Sequence, residues 1–337
     1  MARHQAVHVA SAGAPLEVVE VDTSPPHRAH VRIAVGACGV CGTDQGFVNG
    51  GFPAMSWPLT PGHEIAGTIA ELGEGVQDFA VGERVAVGWF GGHCSTCVPC
   101  RQGDFIHCVN MQVPSWQYPG GYAESVTVPA NALARIPDEL SLAEAAPMGC
   151  AGVTTFHALR ESRAQPGDRV AVLGVGGLGH LGVQFARAMG FETIAVARGA
   201  DKADDAIALG AHHYVDSTAG DAGEALRALG GVTVVLGTAA SSKAMGDTLS
   251  GLLPRGQLIA IGVTADPLPI SPLHLIIPGL SVTGHPSGTA RDIEETMAFA
   301  VQSGVRARIE ELPLARAAEA YSAMERGRAR YRMVLTM

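Results

Sequence analysis

The chain has 337 residues, 47% of them hydrophobic and 16% charged, with a formal net charge of −9. That length and composition describe a globular protein with large buried cores, in two domains rather than one. An acidic balance without a Lys/Arg-rich block argues against nucleic acid or an anionic membrane surface as a partner, and no apolar run approaches the roughly 18 residues that cross a bilayer.

In chain order, the N-terminal MARHQAVHVASAG lacks the apolar core of a signal peptide. The expected location is therefore the cytoplasm, where thiols stay reduced. Short β-type runs follow: VRIAV (31–35), HEIAGTIAEL (63–72), ERVAVGW (83–89) and AESVTV (123–128). Gly and Pro punctuate them, as in a compact antiparallel barrel.

Two stretches among these runs carry possible metal ligands, GACGVCGTDQG (36–46) and LTPGHEIAG (59–67). A catalytic zinc takes three protein ligands of mixed sulfur and nitrogen and keeps one position open. Cys41, His63 and Cys150 could supply such a set, with Glu64 beside the histidine. Taken alone, Cys38-x2-Cys41 also reads as a redox pair. Cys38, inside an apolar run, reads as a buried strand residue.

The segment GGHCSTCVPCRQGDFIHC (91–108) holds Cys94, Cys97, Cys100 and Cys108 at C-x2-C-x2-C-x7-C spacing. Four thiolates without an open position make a structural zinc site. An iron–sulfur cluster accepts similar spacing, and four free thiols in a loop would be open to oxidation. His93 and His107 read as solvated neighbours of this lobe.

Near residue 145 the pattern changes to alternating strands and helices. SLAE (141–144) reads as a capping box opening a helix that continues through GVTTFHAL (152–159). DRVAVLG (168–174) is an apolar strand, and GVGGLGHLGVQFARAMG (174–190) turns into a helix. Gly174, Gly176 and Gly179 satisfy G-x-G-x-x-G between them, with Gly177 and Leu178 inside the turn. Such a turn lets backbone approach a pyrophosphate, which sits on the amides of the helix N-terminus.

TIAVAR (193–198), HYVD (213–216), VTVVLG (232–237), QLIAIG (257–262) and LSVTG (280–284) complete a doubly wound parallel sheet. Ile261 and Val263, at the end of QLIAIG, are further candidate cofactor contacts. After the second strand, where a carboxylate would accept the ribose hydroxyl of NAD, stand Ala197 and Arg198, with Lys202 close behind. A guanidinium in place of an acid favours the 2′-phosphate, hence NADP(H) over NAD(H). His212-His213 reads as a solvated turn. PLARAAEAYSAME (313–325) reads as a helix, and YRMVLTM (331–337) as a closing strand.

With GVCGTD (39–44), PGHEIAG (61–67), the four-cysteine lobe, GGYAE (120–124), CAGVTTFHAL (150–159) and VGGLGHLGVQFARAMG (175–190), the chain resembles the zinc-containing alcohol dehydrogenases of the medium-chain dehydrogenase/reductase superfamily over nearly its whole length. The resemblance implies a GroES-like β-rich catalytic domain, residues 1–145 completed by 287–337, and a Rossmann cofactor domain at 146–286. The active site would lie in the cleft between them.

It further implies two zinc ions per chain. Cys41, His63 and Cys150 would bind the catalytic one, with Glu64 as an acidic neighbour and occasional ligand, and Asp44 would orient His63. Thr43 matches the hydroxyl that carries the substrate proton, Thr154 a neighbour of the nicotinamide, Arg332 a pyrophosphate contact, and Trp89 a pocket residue with Phe52 nearby. Two positions depart from the pattern. Gly46 stands where many relatives carry a relay histidine, and Gly42 where others carry a basic residue. The activity implied is reversible hydride transfer between an alcohol and its aldehyde or ketone, by a homodimer or homotetramer. The alternatives are a zinc-independent quinone or enone reductase of the same fold, or a non-catalytic nucleotide sensor.

Overall fold

The computed structural model describes residues 2–337. They form two compact units. One takes the chain up to Val153 with Ser287–Val301 and Ala307–Met337; the other takes Thr154–Pro286 with Gln302–Arg306.

The first unit is built on a seven-stranded sheet. Its order runs Ile309–Pro313, Arg332–Thr336, His30–Gly39, Ile65–Leu72, Arg84–Val87, Ala134–Arg135, with Ser125–Pro129 also paired to His30–Gly39. Apart from the parallel pair of Ile309–Pro313 with Arg332–Thr336, its pairings are antiparallel. A separate hairpin pairs Arg3–Val9 with Leu16–Asp22. In His30–Gly39 burial alternates through Val35, then becomes continuous from Ala37 to Gly39. The strand thus leaves a half-buried sheet face and runs into the interior where the metal-ligand candidates sit. Val31, Ile33, Ile65, Ile69, Val85 and Val126 form the core beneath it.

The second unit holds a six-stranded parallel sheet ordered His213–Asp216, Glu192–Ala197, Arg169–Leu173, Val232–Gly237, Leu252–Ala260, Ser281–Gly284. Its chain-order sequence of 3-2-1-4-5-6 is that of a dinucleotide-binding doubly wound fold. Both faces are covered, so the strands read as unbroken apolar runs: RVAVL is buried from Val170 to Leu173, and ETIAVA from Thr193 to Ala197.

The helix expected to run from Ser141 through GVTTFHAL is broken. Ser141 and Glu144 do form the reciprocal capping box, but helix Leu142–Ala145 passes into a 3-10 turn, Ala146–Gly149, and a new helix starts at Ala151. Pro147 has no amide hydrogen to continue the α-helical ladder, and Cys150 adopts φ −132°, ψ −73°. Gly149 here packs against the backbone of Gly88, 3.3 Å from its Cα as measured from a Cβ position. The break frees Cys150 from the helical direction.

Of the two histidines read as a solvated turn, His212 is exposed at a bend, but His213 already belongs to the strand His213–Asp216. His213 on its strand meets Glu192 at 3.0 Å, and His212 Nδ1 accepts the Thr193 amide at 2.9 Å. A parallel strand pair begins there and uses both rings.

Candidate active site

Cys41, His63, Glu64 and Cys150 place one donor atom each within 4.8 Å of one another. Cys41 follows the end of strand His30–Gly39, His63 and Glu64 precede strand Ile65–Leu72, and Cys150 stands at the helix break. The two strands are paired, Cys38 opposite Ile65, so the sheet register fixes the distance between the first cysteine and the histidine.

His63 is fully buried, and its Nδ1–H donates to Asp44 Oδ1 at 3.0 Å. A carboxylate can only accept, which sets the tautomer. In the neutral ring Nε2 then carries the lone pair, buried and without a hydrogen-bond partner. Burial opposes charge on His63, but Asp44 and then Cys41 raise its proton affinity well above that of a free imidazole.

The two thiols behave as one pair. Hydrogen bonding to Cys150 holds Cys41 well down, and the same bond, followed by burial, pushes Cys150 up. Without a cation only one of them ionises. An orphaned imidazole nitrogen beside one buried and one half-buried cysteine is a donor set that fits a zinc ion with an open position.

Glu64 is fully buried, and burial pushes its carboxyl up to about 8 against the opposing pull of Arg332. The Arg332 guanidinium lies 2.9 Å from Glu64 Oε1. The approach is close but not aligned for a hydrogen bond, so neither carboxylate oxygen has a donor. Arg332, implied at the pyrophosphate by resemblance, is 3% exposed and donates through Nη1 to the Val40 carbonyl at 3.2 Å. Gly39 makes room for this pair, since a Cβ there would fall 2.0 Å from Glu64 Oε2.

Aromatic rings cover the centre. Trp89 meets the His63 ring edge-on at 5.5 Å, and Phe47 does so at 5.8 Å. Phe52 packs on Phe47 at 4.7 Å and on Trp116 at 5.0 Å. Trp116, not singled out in the sequence, is held by its indole N–H on the Pro53 carbonyl. Phe52 also explains Gly46, because a Cβ at Gly46 would lie 2.7 Å from its Cε2. The position of the relay histidine in relatives is filled here by a neighbouring ring. Thr43 stands at the N-terminus of the short helix Asp44–Val48 and is half-buried, its hydroxyl making no cap bond to that helix.

In the lobe, Cys94, Cys97, Cys100 and Cys108 also bring their sulfurs within 4.8 Å of one another. Cys108 lies 3.6 Å from Cys94 and 3.8 Å from Cys97. A tetrahedron with Zn–S bonds of about 2.3 Å has edges of about 3.8 Å, whereas a disulfide bond is about 2.05 Å. Hydrogen bonds from Asn110 and Thr96 hold Cys94 down to about 5, while burial and the neighbouring Cys97 and Cys108 push Cys100 up to about 12. Four crowded sulfurs do not all ionise unless a cation sits among them. His93, read as solvated, stacks on Phe105 at 4.2 Å with Nδ1 3.9 Å from Cys100 Sγ; His107 pairs with Asp104 at 2.7 Å.

The glycines of the second unit divide their roles as a dinucleotide turn requires. Gly174 has φ +96°, a region that favours glycine. A Cβ at Gly179 would fall 1.7 Å from the Gly174 carbonyl, so helix and strand approach as only glycine allows. A Cβ at Gly176 would meet nothing within 4 Å, which leaves open space where a pyrophosphate could come close to backbone. Helix Gly179–Ala188 follows Leu178 without a side-chain cap; the His180 and Leu181 amides already bond the Gly176 and Leu178 carbonyls, so an anion would meet the amides of the turn before them.

Beyond Ala197, Arg198 is exposed and Lys202 half-buried. Gly199 between them is held from both sides: its N–H donates to Asp216 Oδ1 at 2.8 Å, and its carbonyl accepts the Tyr214 hydroxyl. Thr154 is buried on helix Ala151–Arg160, Ile261 is buried, and Val263 is 79% exposed.

Residues 27–138 match the family model "Alcohol dehydrogenase GroES-like domain", and residues 177–302 match "Zinc-binding dehydrogenase". The alcohol dehydrogenase notN of Aspergillus sp. (strain MF297-2) is 39% identical over 329 residues, covering 96% of this chain and 95% of that protein. Among solved structures, the alcohol dehydrogenase of Aeropyrum pernix superposes with a TM-score of 0.91 at 30% identity, over 99% of this chain and 100% of that one. The CAD of Helicobacter pylori complexed with NADP(H) gives 0.88 at 26% identity, over 99% and 98%.

Proposed function

The chain belongs to the zinc-type alcohol dehydrogenases of the medium-chain dehydrogenase/reductase superfamily, with a GroES-like domain and a Rossmann-type sheet, and from that premise we propose that it is a zinc-dependent enzyme interconverting a small alcohol and its aldehyde or ketone with NADP(H). The observation that carries the reading is the set of buried Cys41, His63 and Glu64 with half-buried Cys150, in which His63 Nε2 has no hydrogen-bond partner.

Cys41, His63 and Cys150 would hold the catalytic metal, and Cys94, Cys97, Cys100 and Cys108 a structural one. Bound there, zinc supplies Lewis acidity toward the substrate oxygen, and the nicotinamide carries the hydride. Asp44 keeps the His63 tautomer that offers Nε2. The Thr43 hydroxyl, free of a cap bond, would hold the proton at the substrate oxygen. With Phe52 over Gly46, the route of that proton to solvent would not include a side chain at position 46. Trp89 and Phe52 would wall the substrate and keep bulk water out.

The turn from Gly174 to Gly179 would seat the pyrophosphate, with Thr154, Ile261 and Val263 along the nucleotide. Arg198 and Lys202 would take the 2′-phosphate. Asp216, at the end of the neighbouring strand His213–Asp216, is already engaged by Gly199 and by Thr218 at 2.7–2.8 Å, which supports a phosphate over a ribose hydroxyl as ligand.

Leu273 and Ile276, on helix Pro272–Ile276, and the next residue, Ile277, are 61–76% exposed and would form part of a homodimer or homotetramer contact. Seven unpaired cysteines suit a reducing cytoplasm. No helix among the described residues is long and apolar enough to cross a membrane.

The test is metal analysis with turnover. The protein should carry two zinc ions per chain and reduce members of an aldehyde and ketone panel. Cys41→Ser and His63→Ala should each lose one zinc and the turnover while still binding NADPH. Turnover that survives both changes would favour the zinc-independent quinone or enone reductase.

A further inference from the structure

The GGYAE stretch (120–124) has no part in the chemistry above, yet it lies against the metal centre. Gly120 and Gly121 run against the segment that leads to His63. A Cβ at Gly120 would fall 2.4 Å from the Pro61 carbonyl, and one at Gly121 2.4 Å from Ile65 Cγ1. The two segments are joined by backbone bonds: Gly120 N–H donates to Thr60, Gly121 N–H to Gly62, and Tyr122 N–H to Pro61, at 2.8–2.9 Å. The double glycine is thus a device of close approach, and what it delivers is Tyr122.

The Tyr122 ring is fully buried. It lies over Gly62, whose φ is +105° and where a Cβ would come 2.4 Å from ring Cδ1. Its hydroxyl donates to Asp44 Oδ2 at 2.9 Å. The same oxygen accepts the Cys41 amide at 2.9 Å, and Oδ1 accepts His63 Nδ1–H at 3.0 Å. One carboxylate therefore meets three donors, two of which belong to residues of the metal centre. The terminal torsion of an aspartate is broad and soft, so a third donor fixes a plane that two leave loose.

We propose that Tyr122 is a positioning residue for the metal centre: its hydroxyl clamps the Asp44 carboxylate, which in turn sets the Cys41 backbone and the His63 ring. This rests on the reading of Cys41, His63 and Cys150 as zinc ligands. Losing a group that bonds a ligand directly costs about 10–100-fold in metal affinity, and Tyr122 acts one bond further out, so about threefold to tenfold is expected.

The experiment is the rate at which zinc leaves the holoenzyme to a chromophoric chelator. Zinc analysis of the unchanged protein comes first. If one zinc is found and Cys41→Ser keeps it, the metal-centre reading fails and the Tyr122 proposal with it. With two zinc ions present, Tyr122→Phe should release one of them about threefold to tenfold faster, the lobe zinc leaving at its original rate. In an Asp44→Asn background Tyr122→Phe should have no further effect, because Tyr122 acts through that carboxylate. An unchanged release rate, or effects that multiply independently in the double variant, overturns the proposal while leaving the metal centre intact. Should Tyr122→Phe not fold, site-specific 3-fluorotyrosine at this position keeps the ring and strengthens donation. Slower release is then expected, and an unchanged or faster rate overturns the proposal.

Discussion

The Arg332 guanidinium lies 2.9 Å from the Glu64 carboxylate, and neither side chain is more than 4% exposed. The pair adjoins a centre that would also contain two cysteine sulfurs and a metal, so its charge balance belongs to that of the site. Desolvation makes such a pair costly to break from one side only.

The two sides are not equivalent. Glu64→Gln leaves a buried guanidinium that cannot lose its charge, and a loss of about 3–5 kcal/mol follows. Arg332→Leu leaves a carboxyl that burial already pushes up to about 8, and it can take a proton and become neutral. Denaturant unfolding of the zinc-loaded variants at pH 7 should therefore rank Glu64→Gln as the more damaging change. The reverse order would mean that Glu64 stays charged without its partner.

The lobe makes a separate prediction. Cys100→Ser should reduce zinc from two to one per chain and lower the melting temperature, while Cys41, His63 and Cys150 keep their metal. Metal analysis beside a thermal scan reads both effects. Loss of the other zinc with unchanged melting would show that the two sites had been assigned the wrong way round.

Cofactor choice turns on one exposed side chain. NADPH should bind more tightly than NADH in a fluorescence titration of the zinc-loaded protein. Arg198→Ala should weaken NADPH by about 10–100-fold, the worth of a charge-assisted hydrogen bond of about 1.5–3 kcal/mol, and leave NADH nearly unchanged. Equal effects on both nucleotides would place Arg198 away from the 2′-phosphate.

Gly46 offers a packing test. Replacing glycine by alanine inside a helix ordinarily gains about 1 kcal/mol. Here the new methyl would meet the Phe52 ring at 2.7 Å, so Gly46→Ala should fail to stabilise and should alter KM for bulky substrates as the ring moves. In a Phe52→Ala background the ordinary gain should return. Unfolding midpoints of the four variants decide it, and a gain from Gly46→Ala alone would show that the ring yields without cost.

The metal-ligand candidates and the glycine turn were legible in the sequence because each depends on residue type at short spacing: four cysteines within fifteen positions, three glycines within six. The pleated and wound halves were legible through their different periods. The hairpin Arg3–Val9 with Leu16–Asp22 and the strand Ile309–Pro313 were not, since the former carries charged or polar residues along much of its length and the latter is short and mostly exposed. The helix break at Cys150 was marked by Pro147, but helical periodicity on either side obscured it. Tyr122 could not be read at all beyond its motif, because its partner Asp44 is 78 positions away and a buried hydrogen bond leaves no local pattern.

The strand Arg332–Thr336 that brings Arg332 to the centre pairs with His30–Gly39, and Arg332 bonds a carbonyl 292 residues earlier in the chain. On a ribosome adding about 5–20 residues per second, Glu64 emerges roughly 13–54 seconds before its cation. The whole nucleotide-binding sheet is made in that interval. Assembly of the centre is thus deferred: the earlier strands can pair as they are made, but Glu64 has no counter-charge until strand Arg332–Thr336 has been added.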